Sequence, residues 1–354
     1  MLSRVLHVGA GLYGTAVNLR NRAYDRGWAH AVRLPCTVIS VGNLVVGGTG
    51  KTTCVEFLTK KLLTRGRRVA VLSRGYGGAR ETYWLRNEDG EVMVHGTPHA
   101  EGVLADEPRL LARHLEGVPI LVGAQRSQTG RMAAAQLGCD TAVLDDGFQH
   151  RRVQRDCEIV LVHARIPLGG WPLLPRGLMR EPLTSLKRAD VVILTKADEV
   201  LERVSALGER LRALNPSMTL LTAVHEPVGL EEVLTGVRHA PRRLDGLRLG
   251  LLSSIGDPTG FELTVQRLHG TIAWHRAFQD HYRYQASDWV ALGEQVRRAP
   301  VDAVVTTEKD WVRLQPWAVD HGPWTVPLWV LGVRMNILSG EAALDARLDR
   351  LYAR

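Results

Sequence analysis

Lysine is scarce in this 354-residue chain: six of its 45 basic residues are lysine, at 51, 60, 61, 187, 196 and 309, and the other 39 are arginine. Cysteine is as sparse, with Cys36, Cys54, Cys139 and Cys157 each in or beside an apolar stretch and no C-x-x-C spacing. Small buried thiols are the plain reading, and nothing here demands an oxidising compartment. No window is compositionally biased, which excludes disordered, collagen-like and repeat-array proteins. Long apolar runs are missing too. The longest uncharged stretch, residues 5–19, contains His7, Asn18 and three glycines. It is shorter than the ~20 apolar residues a membrane span needs.

What is present is 45% hydrophobic and 23% charged residues, with a formal net charge of +8. The length suggests two domains. The excess charge points to an acidic partner: nucleic acid, a membrane surface or a phosphorylated substrate. Arginine's planar fork suits phosphate and carboxylate, although so skewed a ratio also fits a bias in base composition. Zinc, homeodomain-like and aromatic-stack signatures are missing, so a nucleic-acid partner is not expected. Residues 5–19, flanked by Arg4, Arg20 and Arg22, leave two readings open by pattern alone. One is an amphipathic helix lying in a membrane interface; the other is a core helix with a basic end.

From residue 37 onward, short β-branched runs alternate with helical patterns. Residues 37–41, 69–73, 120–122, 142–145, 159–163 and 191–195 read as buried strands. Residues 52–64, 109–115 and 127–137 read as amphipathic helices between them, and 201–214 as another. Such alternation predicts a parallel sheet covered by helices on both faces. Residues 237–248, with one Pro and four Arg, read as a linker to a second, smaller α/β unit. The expected division is therefore an interface segment over 1–35, a nucleotide domain over 36–240, a smaller α/β domain over 245–335 and a terminal helix over 340–354.

The most informative segment is Val41-Gly-Asn-Leu-Val-Val-Gly-Gly-Thr-Gly-Lys-Thr-Thr53. A strand runs into a glycine-rich turn and then a helix near Lys51, which is the context of a P-loop. Gly47, Gly48 and Gly50 let backbone N–H groups turn onto phosphate oxygens, with Thr49 and Thr53 in the same cradle. Lys51 reaches the β- and γ-phosphates, the Thr52 hydroxyl suits Mg²⁺, and the helix N-terminus adds its dipole. The strict pattern fails at its first glycine, which is Val45. The extra lysine of partition-type ATPase loops is also missing, because that position is Val46.

A nucleotide site needs a second anchor at the end of a later strand, and Thr141-Ala-Val-Leu-Asp-Asp-Gly-Phe-Gln-His150 supplies it. Asp145 is placed to hold Mg²⁺ or its waters and Asp146 to face the γ-phosphate. Adjacent carboxylates repel, so both are easier to understand beside a cation. An exposed acidic turn before Gly147 is the competing reading. Thr195-Lys-Ala-Asp198 is a weak match to the guanine-reading pattern, and it supports an alternative: a P-loop GTPase that delivers a metal or assembles a partner. Arg74 ends a strand at the carboxyl edge, where α/β sheets bind ligands, and His150 is a second phosphate-facing candidate.

The loop resembles that of the tetraacyldisaccharide 4'-kinases of Gram-negative bacteria. Further similar motifs follow in order: Ser73-Arg-Gly-Tyr-Gly-Gly78, Asp106-Glu-Pro108, Asp145-Asp-Gly-Phe-Gln-His150, Leu174-Pro-x-Gly177, Arg180-Glu-Pro182, Thr195-Lys-Ala-Asp198, Phe278-x-Asp-His281 and Thr307-x-Lys-Asp310. Departures are small: Val45 where a hydroxyl residue is usual, Thr53 for a common Pro, and Ala105 for Gly. The resemblance implies a kinase dependent on ATP and Mg²⁺, peripheral on the cytoplasmic face of the inner membrane. Its substrate would be a lipid A disaccharide-1-phosphate precursor, phosphorylated at the 4'-hydroxyl beside an anionic membrane surface. It also implies a larger P-loop domain, a smaller α/β domain and a cleft closing between them.

Phosphoryl transfer needs positioning, charge neutralisation and a base for the acceptor. Residue types alone make Asp106, with Pro108 behind it, a helix N-cap. The resemblance makes it the candidate base, and it makes His281, beside Asp280, a site residue. Lys51 and Asp146 complete the expected catalytic set.

Overall fold

Strands buried on both faces carry continuous β-branched runs, and the runs between residues 37 and 195 form such strands. The computed structural model describes residues 2–75, 82–86, 92–94, 97–98, 105–166, 172–322 and 324–353. The chain divides into two units, Met1–His225 with Met335–Arg354, and Glu226–Arg334.

The larger unit begins with helix α1 (Leu2–Asp25), strand β1 (Thr37–Asn43), α2 (Lys51–Leu63) and β2 (Val69–Ser73). Three short strands, β3 (Thr82–Arg86), β4 (Val92–Val94) and β5 (Thr97–Pro98), precede α3 (Asp106–His114). Then come β6 (Ile120–Val122), α4 (Arg126–Gln136), β7 (Thr141–Asp145), β8 (Cys157–His163), β9 (Val191–Thr195) and α5 (Leu201–Leu214). The long strand β10 (Thr219–Glu232) carries the chain into the smaller unit. In space the strands run β10-β9-β8-β1-β7-β2-β6-β3-β4-β5. Pairing is parallel from β10 to β6 and antiparallel from there to β5.

Alternation along β1 sends Ile39 and Val41 to one face, where they meet Val55, Leu58 and Leu62 of α2. Val38 points the other way, into a core with Leu72, Ala142 and Leu144. Each such side chain contributes about 1.5–3 kcal/mol by burial, so both faces hold the sheet rigid beneath the loop that follows β1.

The smaller unit contains β11 (Arg238–His239), β12 (Arg248–Ser253), α6 (Pro258–Arg267), β13 (Thr271–Ala277), α7 (Ala286–Arg298), β14 (Ala303–Thr307) and α8 (Glu308–His321). β15 (Leu328–Ser339) leads back to α9 (Glu341–Tyr352) in the larger unit. Its parallel sheet has the order β13-β12-β14-β15 around Leu249, Leu251, Val265, Ala303 and Val305.

The segments differ from the expected division in three places. The chain enters the smaller unit inside β10, not at residues 237–248, which instead hold β11 and the fully buried Leu244, and it returns inside β15 at the expected residue 335. α1 belongs to the larger unit. So does α9, where Leu344 and Leu348 enter the core and Asp345 accepts from Lys61 at 2.9 Å and Arg65 at 2.6 Å.

Candidate active site

The parallel order places the carboxyl ends of β1 and β7 side by side, with Val41 level with Asp145. β1 runs into residues 44–50, and α2 starts at Lys51. Gly50 caps the helix at φ +84°, and a Cβ there would collide with the His225 ring. Gly47 also has positive φ, at +112°. Both turns are open to glycine and costly for other residues.

The loop is braced from within and from one side. Asn43 Nδ2 donates to Thr49 Oγ1 at 2.7 Å, and Gln149 Nε2 donates to the Asn43 carbonyl at 2.9 Å. Thr53 Oγ1 donates to the Gly50 carbonyl at 2.9 Å and lies 3.0 Å from His225 Nε2. Val45 forms an antiparallel bridge with Met179, while Val46 N–H donates to the Leu178 carbonyl and Arg180 N–H to the Leu44 carbonyl. That extended pairing explains why the first loop position carries valine where the strict pattern has glycine. Thr52 is buried in the first turn of α2, and the Lys51 ammonium is largely buried.

Asp145 ends β7 almost fully buried, with Ser73 Oγ donating to its Oδ2 at 3.1 Å. Its other oxygen, Oδ1, is buried without a hydrogen-bond partner among the described residues. Burial first, then Glu107 and Asp146, push its pKa up to about 7, against the pull of Lys51 and Ser73. An orphaned buried carboxylate oxygen in a field of like charges fits a cation, and Thr52 offers a hydroxyl from the facing helix turn.

Asp146 has a different environment. Its backbone is left-handed, φ +51°, and Arg180 Nη1 donates to both carboxylate oxygens at 2.9 and 2.7 Å. Lys51 Nζ stands 3.8 Å from Oδ1. The acid pair is therefore split: Asp146 already faces two cations, and Asp145 faces none at hydrogen-bond distance. The exposed-turn reading does not hold for Asp145.

Around the turn after Asp146 lies a cluster of positive charge. Burial and then Arg126, Arg155, Arg152 and Arg74 hold the His150 imidazole down to about 4. Arg126, buried at the start of α4, donates to the Asp145 carbonyl at 3.4 Å. Arg74 is exposed just after β2, as expected; Tyr76, Gly77 and Gly78 of its motif lie outside the described residues. Arg126 and Arg74 make the surroundings of the neutral His150 electropositive, which suits an anion.

Asp106 is the first residue of α3, one position inside the expected cap. Ala105 is the N-cap, and no side-chain capping bond is made. The field of neighbouring Glu107 on Asp145 places this first turn beside the acid pair. His281 belongs to the smaller unit, half-exposed at φ +58°, with its N–H donating to the Ser254 carbonyl at 3.1 Å. Asp280 lies 3.9 Å from its Nε2. In Thr195-Lys-Ala-Asp198, Lys196 pairs with Glu199 at 3.5 Å in a tight turn after β9.

Two site residues escaped the sequence reading. Arg180 sits in a motif that gave no role by itself, and Arg126 is one arginine among many. Only its place after the carboxyl end of β6 marks it out.

A family model for Tetraacyldisaccharide-1-P 4'-kinase matches residues 2–353. The chain belongs to that family. A tetraacyldisaccharide 4'-kinase of Anaeromyxobacter dehalogenans (strain 2CP-1) is 41% identical over 345 residues, covering 96% of this chain and 88% of that protein. One from Geobacter sulfurreducens is 36% identical over 351 residues, covering 99% and 94%. Among solved structures, the "apo" form of LpxK from Aquifex aeolicus in complex with ATP matches with a TM-score of 0.73 at 28% identity, covering 99% of each chain. The motif resemblance and the P-loop α/β fold of the 4'-kinase family are borne out. The GTPase alternative is left without support.

Proposed function

We propose that this 4'-kinase transfers the γ-phosphate of ATP to the 4'-hydroxyl of a tetraacylated glucosamine disaccharide 1-phosphate, in lipid A biosynthesis. The observation that carries the reading is the split acid pair beside the phosphate loop. Gly47, Gly48, Thr49, Gly50, Lys51, Thr52 and Thr53 bind the phosphates through backbone N–H groups and the Lys51 ammonium. Thr52 and Asp145 are the residues that would hold Mg²⁺, which supplies charge neutralisation on the phosphates when bound. Asp146 orients Lys51, and Arg74 and His150 meet substrate phosphate. Asp106, at the positive end of α3, takes the proton of the acceptor hydroxyl, and the family resemblance alone makes His281 a second catalytic candidate.

The acceptor is a lipid, and α1 offers a surface for it. Val5, Val8, Leu12 and Leu19 are 61, 64, 69 and 60% exposed. Their spacing of three, four and seven puts them on one helix face, opposite the buried Gly14, Val17 and Asn21. Arg22 continues that outward side, and Arg26 stacks 5.0 Å over the exposed Trp28. An apolar stripe ending in arginine and tryptophan fits an anionic lipid surface, with the helix lying in the interface. Among the described residues no helix is long and apolar enough to cross a membrane. Arg20, which flanks the stretch in sequence, donates inward to Glu181 at 2.8 Å.

The test is transfer from γ-labelled ATP or GTP to a disaccharide-1-phosphate acceptor in mixed micelles. The reading expects ATP-dependent labelling of the lipid. GTP preference without a labelled lipid would overturn it.

A further inference from the structure

The same short segment touches both α1 and the nucleotide loop. On the α1 side, the Tyr13 hydroxyl donates to the Arg180 carbonyl at 2.9 Å. Arg20 Nη2 and Asn21 Nδ2 each donate to the fully buried Glu181 carboxylate at 2.8 Å. A Cβ at Gly14 would clash with Leu173 at 2.8 Å, so the helix packs closely on this segment. On the loop side, Val45 and Met179 form a bridge, Arg180 N–H donates to the Leu44 carbonyl at 2.7 Å, and the Arg180 guanidinium grips Asp146. Arg180 and Glu181 are adjacent, so one peptide unit joins the helix contacts to the acid pair.

The electrostatics give this connection a direction. Asp146 is shared by two cations, with Arg180 at 2.7 Å and Lys51 at 3.8 Å. While Arg180 holds both oxygens, Lys51 remains available to phosphate. If Arg180 withdraws, Asp146 keeps Lys51 as its only cation at that range among the described residues and draws the ammonium away from the loop. A partly buried ion pair competes effectively for that charge.

We propose that α1 is coupled to the nucleotide site through Tyr13, Asn21, Glu181 and Arg180, so that seating its outer face on an anionic lipid surface tightens nucleotide binding. Arg180 is a positioning residue here: it acts through Asp146 on Lys51. The coupling rests on the membrane reading of α1 given above. It makes the kinase respond to the surface that carries its lipid acceptor, before the acceptor arrives.

The experiment measures Kd for a fluorescent ATP analogue with Mg²⁺, with and without phosphatidylglycerol-containing vesicles and without any acceptor. Vesicle binding is followed separately by co-sedimentation. For the wild type, Kd should fall about fivefold on adding vesicles, the lower end of ordinary coupling between sites. Tyr13→Phe, which removes one hydroxyl, and Asn21→Leu should still co-sediment yet keep the weaker Kd under both conditions. A wild type that binds vesicles with no change in Kd overturns the coupling. So do variants that respond as the wild type does. A wild type that fails to co-sediment overturns the membrane reading itself, and the coupling with it.

Discussion

Arg180 and Asp146, 34 residues apart, meet through two hydrogen bonds of 2.9 and 2.7 Å at the edge of the phosphate loop. The pair sets the charge state in which Lys51 meets a nucleotide. Replacing Arg180 with methionine leaves Asp146 to Lys51 and to water. KM for ATP should rise and kcat should fall, each by about tenfold or more, because preorganised charge at a phosphoryl-transfer site is lost. Arg180→Lys should recover only part of the loss, since an ammonium cannot hold both oxygens in the same geometry. Initial rates across ATP concentration measure both effects.

Asp106 lies in the first turn of α3, whose neighbour Glu107 already bears on Asp145. Asp106→Asn keeps the shape and removes the base. It should lower kcat by about 10²–10⁴ while KM for ATP stays within about twofold. Asp106→Asn is isosteric, so the variant should fold, which a thermal melt checks alongside the kinetics. Near-normal turnover in steady-state assays would remove Asp106 from the role of base.

His150 is held neutral by burial and by the arginines around it, with its pKa down to about 4. An unfolded imidazole titrates near about 6.5. Between those values the unfolded chain binds the extra proton, so stability falls as pH falls through that window. His150→Gln removes this penalty. Denaturant titrations at pH 7 and pH 4.5 should show the wild type losing up to about 2 kcal/mol more than the variant, after allowance for the partial exposure of the ring. Equal losses would contradict the buried-neutral account.

The outward stripe of α1 supplies a fourth test. Val8→Asp with Leu12→Asp places two carboxylates on residues that are each more than 60% exposed. Folding should be unaffected, since surface changes of this kind stay within about 0.5 kcal/mol. Vesicle co-sedimentation should fall severalfold, through lost apolar contact and repulsion from anionic lipid. Unchanged sedimentation would leave the stripe without a membrane role.

Much of the larger unit is legible in the sequence because its strands are buried on both faces. Runs such as Val191–Thr195 need no polar alternation, and Lys51 follows a strand and glycines whose turn they require. β3, β4 and β5 were not read as strands, since two to five residues at a sheet edge carry too little pattern. α8 was obscured by Pro316 inside it. No composition change marks where β10 passes between the units, so the Pro- and Arg-containing stretch at 237–248 drew that boundary instead, whereas the expected end at 335 falls where β15 returns to the larger unit. At the site, residue type located the anions' partners but not their pairing. The sequence assigns Asp145 to the metal and Asp146 to the γ-phosphate side, and the fold adds the Arg180 partner that holds Asp146.

The most direct test of the central claim is the position of the new phosphate. The purified chain, ATP, Mg²⁺ and a tetraacyldisaccharide 1-phosphate should yield a product whose phosphorus NMR spectrum shows a second phosphomonoester, coupled to the proton at carbon 4'. Lys51→Ala should yield none. An unmodified acceptor, or a phosphate at any other position, would contradict the account.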